Sequence, residues 1–337
     1  MPHAYSSPPP KTGLPRLPYF PISLFGAIMG FSGLTIALTK AHELLGLNAL
    51  FYQVLTAVTT LFFCLIAFTY LLKIIKHPKA VKGELSHPVA LHFFPAFSIS
   101  LVMLSLLYQT MLPELASMLW HTGALIQFGL LLYIMNNWIH HEKWQITHMN
   151  PAWFIPVVGN ILIPLGAPSF SHLELGWFFF SIGLIFWLIL NSIVMYRLFF
   201  HPPMVKILEP TLFILIAPPA VGFISYMTLT GATGAEGIDN FARILFYSAL
   251  FLTILLLSQS RRFLQVPFTI SWWAYTFPLG AMSIASFMMY QHLGFMFYAY
   301  LASGILILLT GLIGLFTVKT LQAMQQGKVC VPPPTAP

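Results

Sequence analysis

Charged residues are so sparse along this chain that the stretches between them read as elements. Runs free of Lys, Arg, Asp and Glu cover residues 17–39, 44–72, 85–113, 115–141, 144–173, 175–196, 210–235, 244–260 and 263–318. A helix needs roughly 20 consecutive apolar residues to cross a bilayer core. Each of the first eight runs supplies one such helix, the eighth when extended back to Asn240. The last run is long enough to hold two, divided near Gln291-His292. The pattern predicts an all-α chain of ten spanning helices near 19–39, 48–72, 91–112, 114–138, 151–168, 173–196, 210–230, 240–258, 267–289 and 294–318.

Composition removes the competing classes. Only 7% of the 337 residues are charged and 58% are hydrophobic, whereas a soluble domain carries about 25% charged residues. Soluble, nucleic-acid-binding and disordered readings are excluded, and with them a nucleic-acid partner. The net charge of +7 is instead a topological signal, because lysines and arginines near span ends stay cytoplasmic. With ten helices, thirteen of the fifteen fall on the side of the two termini, and only Lys40 and Arg243 on the other. A multi-pass protein of the cell membrane (the inner membrane in a Gram-negative cell) with both termini cytoplasmic is expected. The lysines from Lys73 to Lys82 suit contact with anionic membrane lipid. Cys64 and Cys330 are far apart, so neither a disulfide framework nor a thiolate metal site is expected. The start of the chain has no basic segment leading into an apolar run, so no cleavable signal peptide is expected. Pro-rich residues 1–16 and 323–337 read as disordered, leaving 17–322 as one transmembrane domain.

The prolines carry a second pattern. Away from span ends they are Pro21, Pro95, Pro156, Pro164, Pro218, Pro219 and Pro278, and all seven fall in the first, third, fifth, seventh and ninth predicted helices. Proline removes a backbone donor, and irregular backbone persists at membrane depth only where it is buried or lines a water-filled cavity. The parity predicts five helical hairpins, with kinked odd helices inside and smooth even ones against lipid. The residues just before the kinks are Phe20, Phe94, Ile155, Ala217 and Phe277.

Four blocks, His87–Ser98, Asn150–Asn160, Ala217–Tyr226 and Trp272–Ser283, resemble the tellurite-resistance/dicarboxylate transporter family. That family includes the plant guard-cell slow anion channels. The resemblance implies ten helices in five hairpins around a central pore, a homotrimer with one pore per subunit, and small inorganic or organic anions as the transported species. It also implies that Phe277, in Tyr275-Thr276-Phe277-Pro278, is the gate. From residues alone, a ring just before a kink either swings to the pore axis or packs in the core. Polar residues shortly after the kinks, Ser98, Ser100, Asn160, Ser225 and Ser283, either line the pore with Phe20 and Phe94 or bond neighbouring helices.

Missing chemistry bears on mechanism. Glu114, Glu174, Glu209, Glu236 and Asp239 lie at helix ends or in loops, which favours passive conduction over proton-coupled transport of C4-dicarboxylate, sulfite or tellurite. His92 and His121 sit near span ends and do not form the paired histidines of a haem site. His140, His141 and His148 read as solvated loop residues, and His140-His141-Glu142 is too small a cluster for an intramembrane enzyme. No catalytic residue, metal site or cofactor is expected.

Overall fold

The computed structural model describes residues 16–331, and among these the regular structure is helical. In chain order the α-helices are α1 (Phe25–Leu45), α2 (Leu50–Lys76), α3 (Pro78–Ser86), α4 (Pro95–Tyr108), α5 (Pro113–His140), α6 (Ile155–Leu162), α7 (Leu173–Phe200), α8 (Ala217–Thr230), α9 (Asn240–Ser258), α10 (Ser260–Phe263), α11 (Thr276–Leu293) and α12 (Met296–Gln325). Among the described residues, eight helical segments are long and apolar enough to cross a membrane. Pro151–Leu165, which contains α6, is apolar but shorter. Glycines in the left-handed region, Gly46 after α1 and Gly294 after α11, end those helices at φ 72°. That conformation is cheap only without a Cβ, and it lets the chain turn directly into α2 and α12.

Burial divides the helices into two sets. In Ile22–Leu45, Ala90–Tyr108 and Lys206–Thr230 the buried share of the apolar window is 72%, 72% and 83%. It is 17% in α2 and 33% in each of α5, α7, α9 and α12. Every residue of α6 is buried, as is α11 from Thr276 to Phe287. The inner helices contact one another in a closed cycle, α1 to α4, α4 to α6, α6 to α8, α8 to α11 and α11 back to α1. Each also packs on the helix that follows it around the outside: α1 on α2, α4 on α5, α6 on α7, α8 on α9 and α11 on α12. The outer helices expose Phe68, Leu125, Ile185, Phe251 and Ile307, side chains that suit hydrocarbon and not water.

The prolines lie at one recurrent place, which is not mid-helix. Each inner element starts as a 3-10 helix and converts to α: at Ile22–Leu24, Ala90–Phe93, Pro151–Phe154, Lys206–Ile216 and Ile270–Tyr275. Pro95, Pro156, Pro218 and Pro278 occupy the first turn of the α portion, and Pro21 caps the first 3-10 turn. First-turn N–H groups have no intrahelical acceptor, so proline is tolerated there. Pro164 stands apart, in a short 3-10 helix at the far end of α6.

Two further expectations are revised. Residues 78–86, which lie between the second and third predicted spans, form α3. The boundary at 322 falls inside α12, which continues to Gln325, and the chain then folds back so that Lys328 N–H bonds Ala323 O at 2.9 Å and Val329 is buried. The expectation of disorder at residues 1–15 and 332–337 lies outside the described residues.

Candidate functional site

Two cavities lie inside the cycle of inner helices, and each is lined by all five. The narrower, about 40 Å³, is bounded by Gly26 and Met29 of α1, Ala96 of α4, Ile155 and Val158 of α6, Ala217 of α8, and Phe277 and Pro278 of α11. The wider, about 470 Å³, is bounded by Gly33 and Ile36 of α1, Met103 of α4, Leu162 of α6, Val221 and Ile224 of α8, and Phe277, Ala281 and Ile284 of α11. Phe277 alone belongs to both linings. The residue is 7% exposed.

Local sequence places that ring. Conversion from 3-10 to α at Thr276 sets Phe277 in the first α turn. Thr276 holds the junction by donating from Oγ1 to Trp273 O at 2.7 Å. From the adjacent place in the cycle, α1 presents Gly30 and Gly33 to α11. A Cβ on Gly30 would collide with Thr276 Oγ1, and one on Gly280 would stand 3.1 Å from the Gly33 backbone. Small residues let membrane helices approach to this degree, and here the approach lies immediately beside Phe277.

Charge is nearly absent from this axis. The narrow cavity has no ionisable lining residue. The wide one has Lys40 and Glu43, which pair with each other at 2.6 Å, together with His42 and Tyr52 at its outer end.

Residues 19–321 match the family described as SLAC1, voltage-dependent anion channel. The chain belongs to this family. It is similar to the S-type anion channel SLAH2 of Arabidopsis thaliana, with 30% identity over 279 residues, 81% of this chain and 53% of that protein. It is also similar to the guard cell S-type anion channel SLAC1 of the same plant, at 29% identity over 82% of this chain and 51% of the relative. The tellurite resistance protein TehA homolog of Haemophilus influenzae is 24% identical over 91% of this chain and 92% of its own length. The chain spans about half the length of the plant relatives. SLAC1-family members are membrane anion channels and transporters rather than enzymes.

In this SLAC1-family chain the polar candidates after the kinks are turned away from both cavities. Ser98 of α4 lies 2.7 Å from Gln127 Oε1 of α5, and Gln127 Nε2 donates to Pro156 O at 2.7 Å. Asn160 Nδ2 donates to the same carbonyl, also at 2.7 Å. Ser225 donates to Ile161 O of α6, Ser283 to Ala302 O of α12 at 2.9 Å, and Ser100 to Ala96 O within its own helix. Phe20 and Phe94 are buried but belong to neither lining. For the five polar residues the reason is common: a buried hydroxyl or amide takes a hydrogen-bond acceptor within reach, here on its own or a neighbouring helix.

Three features of the SLAC1-family bundle escaped the sequence. Lys73, 1% exposed, donates to Glu84 Oε2 at 2.6 Å and to Phe20 O at 2.8 Å. Glu84 also accepts from Tyr70 Oη and the Ile22 N–H. This knot ties α2 and α3 to the start of the first inner element. Glu209, 6% exposed, accepts both Nε and Nη2 of Arg262. His92, wholly buried, stacks on Trp138 and Trp153 and accepts from Trp138 Nε1 at 3.1 Å. The tryptophan-rich run Trp138–Trp153 was the available signal for the third. For the ion pairs, separation along the chain hides the partner. Among the described residues, no group of three or more His, Cys, Asp and Glu side chains converges as a metal site.

Proposed function

We propose that the chain is a passive anion channel, with ten spanning helices in five hairpins around a central path that Phe277 closes. The observation that carries this reading is the position of Phe277 as the one side chain common to the two axial cavities. A hydrophobic ring in a narrow apolar passage stops ions by sterics and dewetting, without a charge. Anion preference is supported by the helix starts. First-turn residues Gly26, Ala96, Ile155, Ala217, Phe277 and Pro278 of the five inner α segments line the narrow cavity, so the positive ends of five helix dipoles face it. With no Lys or Arg among the described residues that line the narrow cavity, an anion is attracted weakly enough to leave again. The permeant species fall among small inorganic and organic anions, such as halide, nitrate, sulfite, tellurite or C4-dicarboxylate.

Phe277→Ala, reconstituted in planar bilayers, is the test. A plug predicts larger, constitutive anion currents from a protein that remains folded. A ring that only packs predicts unchanged current and a loss of roughly 3–5 kcal/mol in stability. Secondary transport is the alternative, and a reversal potential that moves with the proton gradient would establish it. The asymmetry of lysines and arginines supports cytoplasmic termini, and the family supports a homotrimer. Accessibility tags at Lys328 and Ala235 that label from the same side would refute that topology, and a monomeric mass in detergent would refute the trimer.

A further inference from the structure

At the end of the bundle where Arg16 meets Met324 O, a crevice of about 590 Å³ opens beside the narrow axial cavity. Its walls are Tyr19 and Pro21 before α1, Pro267–Ile270 before α11, and the end of α12 with the returning segment Lys328–Val331. Ile270 belongs to both this crevice and the narrow cavity, so the two spaces adjoin. We propose that this crevice is the antechamber through which anions reach the axial path from the lysine-rich end, and that Lys319 and Lys328 are the residues that gather them there. The inference rests on the conduction reading above and adds the route and the collecting residues.

Three observations carry it. Lys319 and Lys328 are exposed ammonium groups on the crevice lining, and among the described residues no Asp or Glu lines it, so its potential is positive. The walls are already held in place: Thr269 and Ser271 bond each other at 2.7 Å, Ser271 donates to Ile207 O at 2.7 Å, and Trp272 Nε1 donates to Pro267 O at 3.1 Å. The hydroxyls at the doorway are thereby occupied, which leaves long-range attraction rather than tight binding to draw anions in, as fast conduction requires. A second basic pocket, lined by Lys206, Arg262 and Glu209, is only partly balanced in charge. There Arg262 is held bidentate by Glu209, and neither residue reaches an axial lining.

The test uses Phe277→Ala channels in planar bilayers at low salt, with chloride as the probe. The double variant Lys319→Gln/Lys328→Gln should lower current carried by chloride entering from the lysine-rich side by ~3-fold, and current in the opposite direction much less. The deficit should vanish near 1 M salt, where the screening length falls to about 3 Å. Lys206→Gln, outside the crevice, should leave both directions unchanged. Lys319→Arg/Lys328→Arg should restore the current, which a folding defect would not allow. An equal loss in both directions, a loss that persists at high salt, or the same loss from Lys206→Gln would overturn the antechamber while leaving the channel. A folded Phe277→Ala protein that passes no current would overturn the channel reading and this inference with it.

Discussion

Gly33 of α1 faces Phe277 of α11 so closely that a Cβ at position 33 would stand 4.0 Å from ring Cδ2, and 3.7 Å from Gly280 Cα. Those are ordinary contacts, so Gly33→Ala should fold. The reverse substitution differs, because a Cβ on Gly280 meets Gly33 backbone at 3.1 Å and a backbone atom cannot step aside. Gly280→Ala should therefore cost about 1–3 kcal/mol. Thermal unfolding in detergent checks the contrast. Equal losses for the two would mean that the helices are not held together at this point.

Proline placement gives a second expectation. Pro95 and Pro218 stand where a 3-10 turn becomes α-helix. Alanine would allow α geometry to spread backwards and rotate the residues that line the narrow cavity. Pro95→Ala or Pro218→Ala should cost no more than ~1 kcal/mol, yet lower conductance in the Phe277→Ala background. Leu188→Ala, on exposed outer surface, should change neither. Single-channel recording distinguishes these outcomes.

The Lys73–Glu84 knot should be asymmetric to mutation. Glu84→Gln leaves an ammonium group 1% exposed without its carboxylate, a loss of about 3–5 kcal/mol. Adding Lys73→Met removes the stranded charge and should restore most of the stability. A double variant as unstable as the single one would show that the pair contributes through something other than its charge.

Asp239 begins α9 and accepts from Ala242 N–H at 2.8 Å and from Tyr226 Oη. The Ala242 N–H, and then the Tyr226 hydroxyl, hold its carboxyl below the usual range. Because the folded value is depressed, the cap's contribution is full above the unfolded value and is lost as pH falls through the folded one. Protection of the first α9 amides against hydrogen exchange, relative to intrinsic rates, should drop in acid. Asp239→Ala should remove about 1 kcal/mol at neutral pH, and Asp239→Asn should abolish the pH dependence.

Which stretches are apolar, and which of them carry the helix-breaking prolines, was legible in the chain. Spacing of charges follows from bilayer thickness, and a proline's missing N–H acts on its own helix, so both effects are local. Phe277 was singled out by the family resemblance; its place before Pro278 alone made it one of several such residues, with Phe20 and Phe94. Its alternative fates, plug or core ring, could not be separated there, because a cavity is a relation among five helices that meet only in the fold. The polar candidates Ser98, Asn160, Ser225 and Ser283 show the same limit. Position along the helix told their depth, but tertiary packing decided which carbonyl each would reach. Lys73 finding Glu84, α3 forming between α2 and α4, and Lys328 returning to the end of α12 depend on contacts between segments. Their energy comes from burying or pairing groups that are strangers in sequence, so only the tertiary structure decided them.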